Sequence, residues 1–358
     1  MHNQELWREA QTFLEGLKEK TVLVIHDYDV DGISGGLVLT HTLRRIGATP
    51  IPTTKVGRGA SLTTEHLDEQ PDVDAVIITD QCPKSYGQYE QFRKRYPKTP
   101  LMILDHHKPQ EYDDALFVHP ELVFGIAGHK YCSAKLIYEL CNSVRDCEDL
   151  SWLAATGILG DANAPYFEDF LKEVCAYHDL DVPEDWYDAT FAQIAETIDC
   201  CSAASDEELL RYVDQLTQEE TLQGALDLGN PCQHVKDEVD KYLALGTTLA
   251  QTDGAIVWLP VESEFSITGW VTTMLSFQHR ERFFIGYRHQ VDGTSVNLRW
   301  QETPVHLGDL IREVASKFHG RGGGHKPAAG GWVGKGQFEA FQEAFTHALS
   351  DQISDQTN

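Results

Sequence analysis

Three apolar, β-branched runs that each stop on acidic residues place the tightest limit on what this chain can fold into. Thr21–His26 (TVLVIH) runs into Asp27, Asp74–Asp80 (DAVIITD) ends on its own aspartate, and Leu101–His107 (LMILDHH) ends on an acid and two histidines. Runs this continuously apolar belong to strands buried on both faces, as in a parallel sheet covered by helices. Helical spacing recurs between and after them, over Ile33–Ile46, near Tyr86–Arg95 and over Ser133–Asn142. Strands alternating with helices predict a mainly parallel α/β domain. The functional edge of such a sheet is where the strands reach their carboxyl ends, and here that edge carries the acids.

At 358 residues the chain is long for one core, since domains usually hold about 100–200 residues. Residues 1–165 read as the parallel-sheet domain, and 166–250 as its helical remainder and a connector, acidic and with helical patterns at Asp206–Gln215 and Val235–Leu245. Strand patterns return at Ala255–Leu259, Arg282–Tyr287 and Thr294–Trp300, followed by a glycine-rich loop at Gly320–Gly331 and a closing helix near Gln337–Leu349. That stretch, 251–350, is predicted as a smaller α/β domain separated from the first by a cleft, with 351–358 a polar, frayed tail.

The chain holds 29 Lys+Arg against 56 Asp+Glu, a formal charge of −27. Such a balance argues against a broad basic surface gripping a long nucleic acid, while leaving room for a local basic pocket. Eight cysteines are scattered without a Cys-x-x-Cys pair, which reads as reduced thiols. No apolar run approaches the roughly 20 residues of a membrane span, and the start MHNQELWREA has no apolar leader, so a cytoplasmic protein is expected.

The chemistry is predicted at the acids. Asp27, Asp29 and Asp31 follow the first strand, Asp80 the second and Asp105-His106-His107 the third, and Asp161 closes the helical segment Trp152–Gly160. One aspartate at a strand end is ordinarily a turn former or helix cap, and a lone His-His pair is ordinarily a surface accident. Their coincidence at successive element ends has no such explanation. Carboxylates crowded together cost several kcal/mol in repulsion and desolvation unless cations sit among them. Asp and His donors without thiolate suit Mn²⁺ first, then Mg²⁺, ahead of Zn²⁺ or Fe²⁺. Two such ions bridged by one aspartate, about 3.5–4 Å apart, activate water and neutralise phosphate oxygens, which is phosphoester hydrolysis.

In order, His26-Asp27-Tyr28-Asp29-Val30-Asp31-Gly32, Asp80, Asp105-His106-His107 and Gly160-Asp161 resemble the motifs of the DHH phosphoesterases. Gly322-Gly323-Gly324-His325, followed by Lys326-Pro327-Ala328-Ala329-Gly330, resembles the motif of the DHH-associated C-terminal domain. The form Asp-Tyr-Asp-Val-Asp-Gly is closer to the RecJ-like branch than to branches in which a histidine precedes the aspartate pair. The resemblance implies that Asp29 and Asp80 hold one ion, with Asp27 standing where relatives place a histidine or aspartate and His26 the alternative to it. It implies that Asp31, Asp80, His106 and Asp161 hold the second ion. His107 would face the scissile phosphate, and Asp105 would orient the neighbouring imidazole. Arg299, Gly322, Gly323, Gly324 and His325 would grip substrate, the glycines by offering backbone N–H groups without side chains in the way.

The family's substrates range widely, so fold and metal site define the reaction better than the substrate. The acidity, and no evident room for an extra oligonucleotide-binding domain, favour short oligonucleotides or linear dinucleotides, including those left when cyclic dinucleotides are opened. The basic residues expected near the site are Lys55, Arg58, Lys130, Arg299, Arg321 and Lys326, each taken singly a solvated charge. Trp152, Trp258, Trp270, Trp300 and Trp332 are read mainly as packing residues, and His129 and Tyr131 as loop residues within reach of substrate. The alternatives are a RecJ-like 5′→3′ single-strand exonuclease and a non-catalytic scaffold on the same fold. The reading allows a homodimer and requires no membrane.

Overall fold

The computed structural model describes residues 3–54, 67–68, 70–81, 89–251 and 256–356. They form two units, Met1–Cys232 and Gln233–Asn358. The helical stretch 166–250 is thus shared, its part up to Cys232 packing in the first unit and the helix Gln233–Ala250 in the second.

The first unit is built on a five-stranded sheet, β1 (Thr21–His26), β2 (Thr49–Thr54), β3 (Ala75–Thr79), β4 (Leu101–Leu104) and β5 (Leu116–Val118), in the order β2-β1-β3-β4-β5. Every pairing is parallel. Residues of β1, β3 and β4 are almost entirely buried, as their continuous apolar runs require. β2 and β5 are additions to the strands read from the sequence. The run TPIPTT of β2 carries two prolines, which remove ladder donors and are tolerated because this strand is at the sheet edge. β5 is too short to register as a pattern.

The chain leaves β1 toward β2 on one side and returns to β3 on the other, so the order reverses beside β1. Crevices at such switch points, at the carboxyl ends of strands, are where open α/β sheets bind ligands. Register sharpens this. His26 pairs with Thr79, Thr79 with Leu104 and Leu104 with Val118, so the residues that follow, Asp27, Asp80, Asp105 and His119, leave the sheet at one level.

Helix α1 (Gln4–Glu15) packs against the sheet's β5 side, and α2 (Val30–Arg45) is nearly all buried. α2 packs on two later helices, α3 (Ser133–Val144) and α4 (Ser151–Gly160). Gly157 makes that contact close: a Cβ there would lie 2.4 Å from Ala134 Cβ and 3.0 Å from Asp31 Oδ1. The helices therefore meet nearly backbone to backbone at the point where α2 begins.

The second unit holds a mixed sheet, β6 (Ile256–Pro260), β7 (Phe283–Gln290), β8 (Gly293–Arg299), β9 (Arg321–Gly324) and β10 (Ala328–Gly334), ordered β6-β7-β8-β10-β9. β6 and β7 are parallel and the rest antiparallel. Its core joins Phe283, Ile285, Leu298, Ile311, Phe341 and Phe345. The glycine-rich stretch expected as a loop is a hairpin instead, with Gly322 opposite Gly331 and Gly323 opposite Gly330. Glycine carries no strand propensity of its own; what imposes the strand is pairing with β10 and a helix, Leu307–Ser316, lying on the backbone. A Cβ on Gly322 would meet Ile311, and one on Gly308 would come within 2.1 Å of Gly324 O. The expected frayed tail is likewise helical through Gln356, with Ile353 packed on the core. Among the described residues no helix is long and apolar enough to cross a membrane.

Candidate metal centre

Asp29 caps α2, its Oδ1 accepting from Gly32 N at 2.9 Å. The next acidic residue, Asp31, is buried inside the first turn and points at the start of α3: its Oδ2 accepts from Ser133 N and its Oδ1 from Ala134 N, both at 2.8 Å. A helix N-terminus offers donors and a favourable dipole to such an anion. Each oxygen keeps a second lone pair for a further ligand. Asp80, directly after β3, is buried and adopts φ 56°, a left-handed conformation that Asp enters more readily than most side chains. Ser133 Oγ donates to its Oδ1 at 2.9 Å.

The two histidines complete the cluster. His106 Nδ1 is 3.1 Å from Gly128 O. With Nδ1–H donating there, Nε2 is left with the lone pair, 3.4 Å from Asp80 Oδ1 and 3.9 Å from Asp31 Oδ2. Asp161, at the end of α4, brings Oδ2 to 3.7 Å from His106 Nδ1 and accepts from Asn163 Nδ2. His107 Nδ1 bonds Asp105 Oδ1 at 2.8 Å and lies 3.7 Å from Asp80 Oδ1. The same Asp105 oxygen accepts from the backbone N–H groups of His106 and His107, fixing the whole turn.

Electrostatics explain why this cluster calls for a cation. Burial raises the Asp31 pKa to about 7, and it also raises those of Asp80 and Asp161, Asp80 well above the usual range. Among the described residues, the positive partners facing Asp31, Asp80 and Asp161 are imidazoles rather than Lys or Arg. The bond to Asp105 raises His107 to about 9, so its imidazole is protonated at neutral pH. Burial opposes protonation of His106, but Asp31, Asp161, the bond to Gly128 O and Asp105 together raise its pKa. Asp80, His106 and His107 offer donor atoms all within 4.8 Å of one another. Oxygen-rich donors with imidazole and no thiolate fit Mn²⁺ or Mg²⁺.

Asp27 Oδ1 accepts from Tyr28 N at 2.8 Å. His26, its alternative, is buried with Nδ1 on Asp27 O and its ring against Gly36, and burial lowers its pKa to about 4. In the second unit, Arg299 pairs with Ala328 and Ala329 with Gly324, so Arg299 and the end of the glycine strand share one end of the sheet. Arg299 Nε donates to Thr273 Oγ1 and Nη1 to the carbonyls of Leu298 and Ala329. Gly323 is open apart from Arg312 Nη2, 3.5 Å from where its Cβ would be, and His325 is exposed. Arg321 and Lys326 are exposed, while Lys55 and Arg58 lie outside the described residues. Trp152 is fully buried, and Trp258 and Trp300 pack on the core of the second unit.

Two supporting residues escaped the sequence reading. His119, fully buried, accepts from Glu121 N at Nδ1 and has Nε2 2.6 Å from His107 O. It follows β5, a strand too short to be read from the sequence, so nothing marked it. A Cβ on Gly128 would lie 1.8 Å from His106 O. Gly128→Ala is therefore expected to displace the His106 backbone and weaken Mn²⁺ binding by about 10–100-fold, the usual loss when a supporting contact to a ligand fails. Calorimetric titration of the folded variant checks this.

A model of the DHH family N-terminal domain matches residues 21–158, and a model of the DHHA1 domain matches residues 266–351. The chain belongs to the DHH family and carries a C-terminal DHHA1 domain. Its fold is similar to that of an exonuclease RecJ bound to manganese, at 21% identity and TM-score 0.66, covering 96% of this chain and 94% of the other. It is also similar to RecJ with Mn²⁺ from Thermus thermophilus, at 19% identity and TM-score 0.69, covering 97% of this chain but only 55% of that one. A pGpG-specific phosphodiesterase from Vibrio cholerae aligns at 14% identity and TM-score 0.50, over 93% of this chain and 100% of the other. Comparison with curated proteins gave no match.

Proposed function

We propose that this chain hydrolyses short oligonucleotides or linear dinucleotides to mononucleotides with two divalent ions, Mn²⁺ ahead of Mg²⁺. The observation that carries the reading is the gathering of Asp31, Asp80, His106, His107 and Asp161, from four separate segments, with carboxylates, buried at Asp31 and Asp80 and partly buried at Asp161, whose positive partners among the described residues are imidazoles. Asp29 and Asp80, with Asp27, would hold one ion; Asp31, Asp80, His106 and Asp161 would hold the other. Bound there, such ions supply an activated water and charge neutralisation at phosphate oxygens.

The remaining work falls to side chains. His107, oriented through Nδ1 by Asp105, presents Nε2–H to the scissile phosphate, where it stabilises the charge that develops or protonates the leaving oxygen. Arg299, Gly322–Gly324 and His325 grip a second phosphate or a base. A net charge of −27 disfavours long strands and favours short substrates. The fold likeness to a pGpG-specific phosphodiesterase, complete over that chain's length, points the same way. The likeness to RecJ supports the second reading, a 5′→3′ single-strand exonuclease.

A panel of 5′-phosphorylated dinucleotides, longer single strands and cyclic dinucleotides, incubated with the full chain and Mn²⁺, separates them. Mononucleotides released from dinucleotides, with higher kcat/KM than from long strands, are expected. A processive ladder from long strands, lost steeply as salt rises, selects the exonuclease instead.

A further inference from the structure

The two segments that steady His106 and Asp161 also meet at the surface. The turn Gly128–Lys130 supplies the carbonyl that holds His106 Nδ1. The turn Ala164–Tyr166 follows Asn163, which donates to Asp161 Oδ2, and Tyr166 N closes it on Asn163 O. Two neighbouring side-chain pairs join these turns. The inner pair is structural: the Tyr131 ring, 4% exposed, meets Phe167 edge-on at 5.0 Å. The outer pair is Lys130, whose ammonium lies 5.7 Å from the centre of the Tyr166 ring. Lys130 is exposed, and Tyr166 is 51% exposed.

The inner contact already fastens the turns, so the outer pair adds little to packing. It leaves half of a large aromatic residue in solvent, beside a cation, the cation two residues along the chain from the carbonyl that holds His106 and the ring three from the amide that holds Asp161. An exposed ring with an adjacent cation is the arrangement by which proteins hold single-stranded nucleotides: the ring stacks on a base and the cation meets a phosphate. In a chain carrying −27, an exposed lysine two residues from the carbonyl that holds His106 also stands against the general trend of the sequence.

We infer that Lys130 and Tyr166 form a nucleotide subsite beside the metal centre, Tyr166 stacking on a nucleobase and Lys130 pairing with a terminal phosphate. This rests on the phosphodiesterase reading and narrows its substrate to a short 5′-phosphorylated nucleotide chain. The subsite selects substrate and does no chemistry, so its loss raises KM and leaves kcat nearly unchanged.

The test uses the full chain with Mn²⁺ and a 5′-phosphorylated dinucleotide, the same dinucleotide without its 5′-phosphate, and one with an abasic first position. Tyr166→Ala is expected to raise KM about tenfold or more, the range found when base-stacking rings are removed, and to abolish preference for the intact base over the abasic position. Tyr166→Phe should behave as wild type, because the ring and not the hydroxyl is used. Lys130→Ala should raise KM similarly and abolish preference for the 5′-phosphate. Calorimetric binding of the phosphorylated dinucleotide separates this inference from the wider one. If wild type binds and both alanine variants lose affinity, the subsite stands even where no turnover is seen and the proposed reaction falls. If the variants bind and turn over as wild type does, or wild type does not bind, the subsite is wrong.

Discussion

Asp80→Asn is expected to lower turnover by roughly two to three orders of magnitude, the scale on which single groups that stabilise transition-state charge act, while the protein stays folded. The asparagine keeps the shape, the acceptor for Ser133 Oγ and a tolerance for the left-handed φ of 56°, where alanine would add backbone strain. What it removes is the charge shared by both proposed ion sites. Burial already raises the Asp80 pKa far above that of a free carboxylate, so the metal-free native state gains by the loss of that charge. The metal-free Asp80→Asn variant should therefore melt no lower than metal-free wild type, and should gain less on adding Mn²⁺. Steady-state kinetics and thermal melts with and without Mn²⁺ check both halves. Full activity in Asp80→Asn would remove the bridging assignment.

The second large effect is metal-linked stability and its pH dependence. A ligand at about a hundred times its Kd stabilises the native state by about 2.7 kcal/mol. For a unit of this size that is about 5–10 °C in Tm. The sign with pH follows from the carboxyls. Asp31 moves from the ordinary 3.8 to about 7 in the folded chain, and Asp80 and Asp161 also move up. The native metal-free state therefore holds extra protons, and its stability from these groups falls as pH rises from about 4 through 7. An ion must displace those protons, so Mn²⁺ affinity rises over the same interval. Melts at pH 6 and pH 8 should show a larger Mn²⁺-induced shift at pH 8, and titration calorimetry in buffers of different ionisation enthalpy should show proton release. An Mn²⁺ shift that is equal or smaller at pH 8 would mean that the buried carboxyls do not meet the ion.

The parts of this molecule visible in its sequence are those with one-dimensional patterns. Val22–Ile25 and Leu101–Leu104 announce buried parallel strands because every side chain in them is apolar and buried, and the acids that stop these runs mark where the sheet ends. The start of α2 and the end of α4 were marked by helical spacing meeting Asp31 and Asp161. What stayed hidden depends on neighbours distant in sequence. The prolines of β2 contradict strand propensity and are admitted only by the edge position. The glycines of β9 look like a loop until a helix and a partner strand are set against them. His119 acquires its role from register, and Ser133 and Ala134 from their backbone N–H groups, which no residue type reveals. The approach of Lys130 to Tyr166 belongs to this hidden class, since neither residue is unusual alone.

The row formed by Asp27, Asp80, Asp105 and His119 at one level of the sheet has a consequence for how the first unit comes apart. The groups proposed to hold the ions, Asp31, Asp80, His106 and Asp161 among them, sit on or next to that row and belong to strands and helices that are brought together only after long loops close. An ion held by them would fasten remote segments that would otherwise separate one at a time. Opening any one of those segments must first surrender coordination at the others. The loaded chain should thus resist proteolytic digestion through a slower escape from the native basin, and a chelator should act as the trigger that restores local fraying.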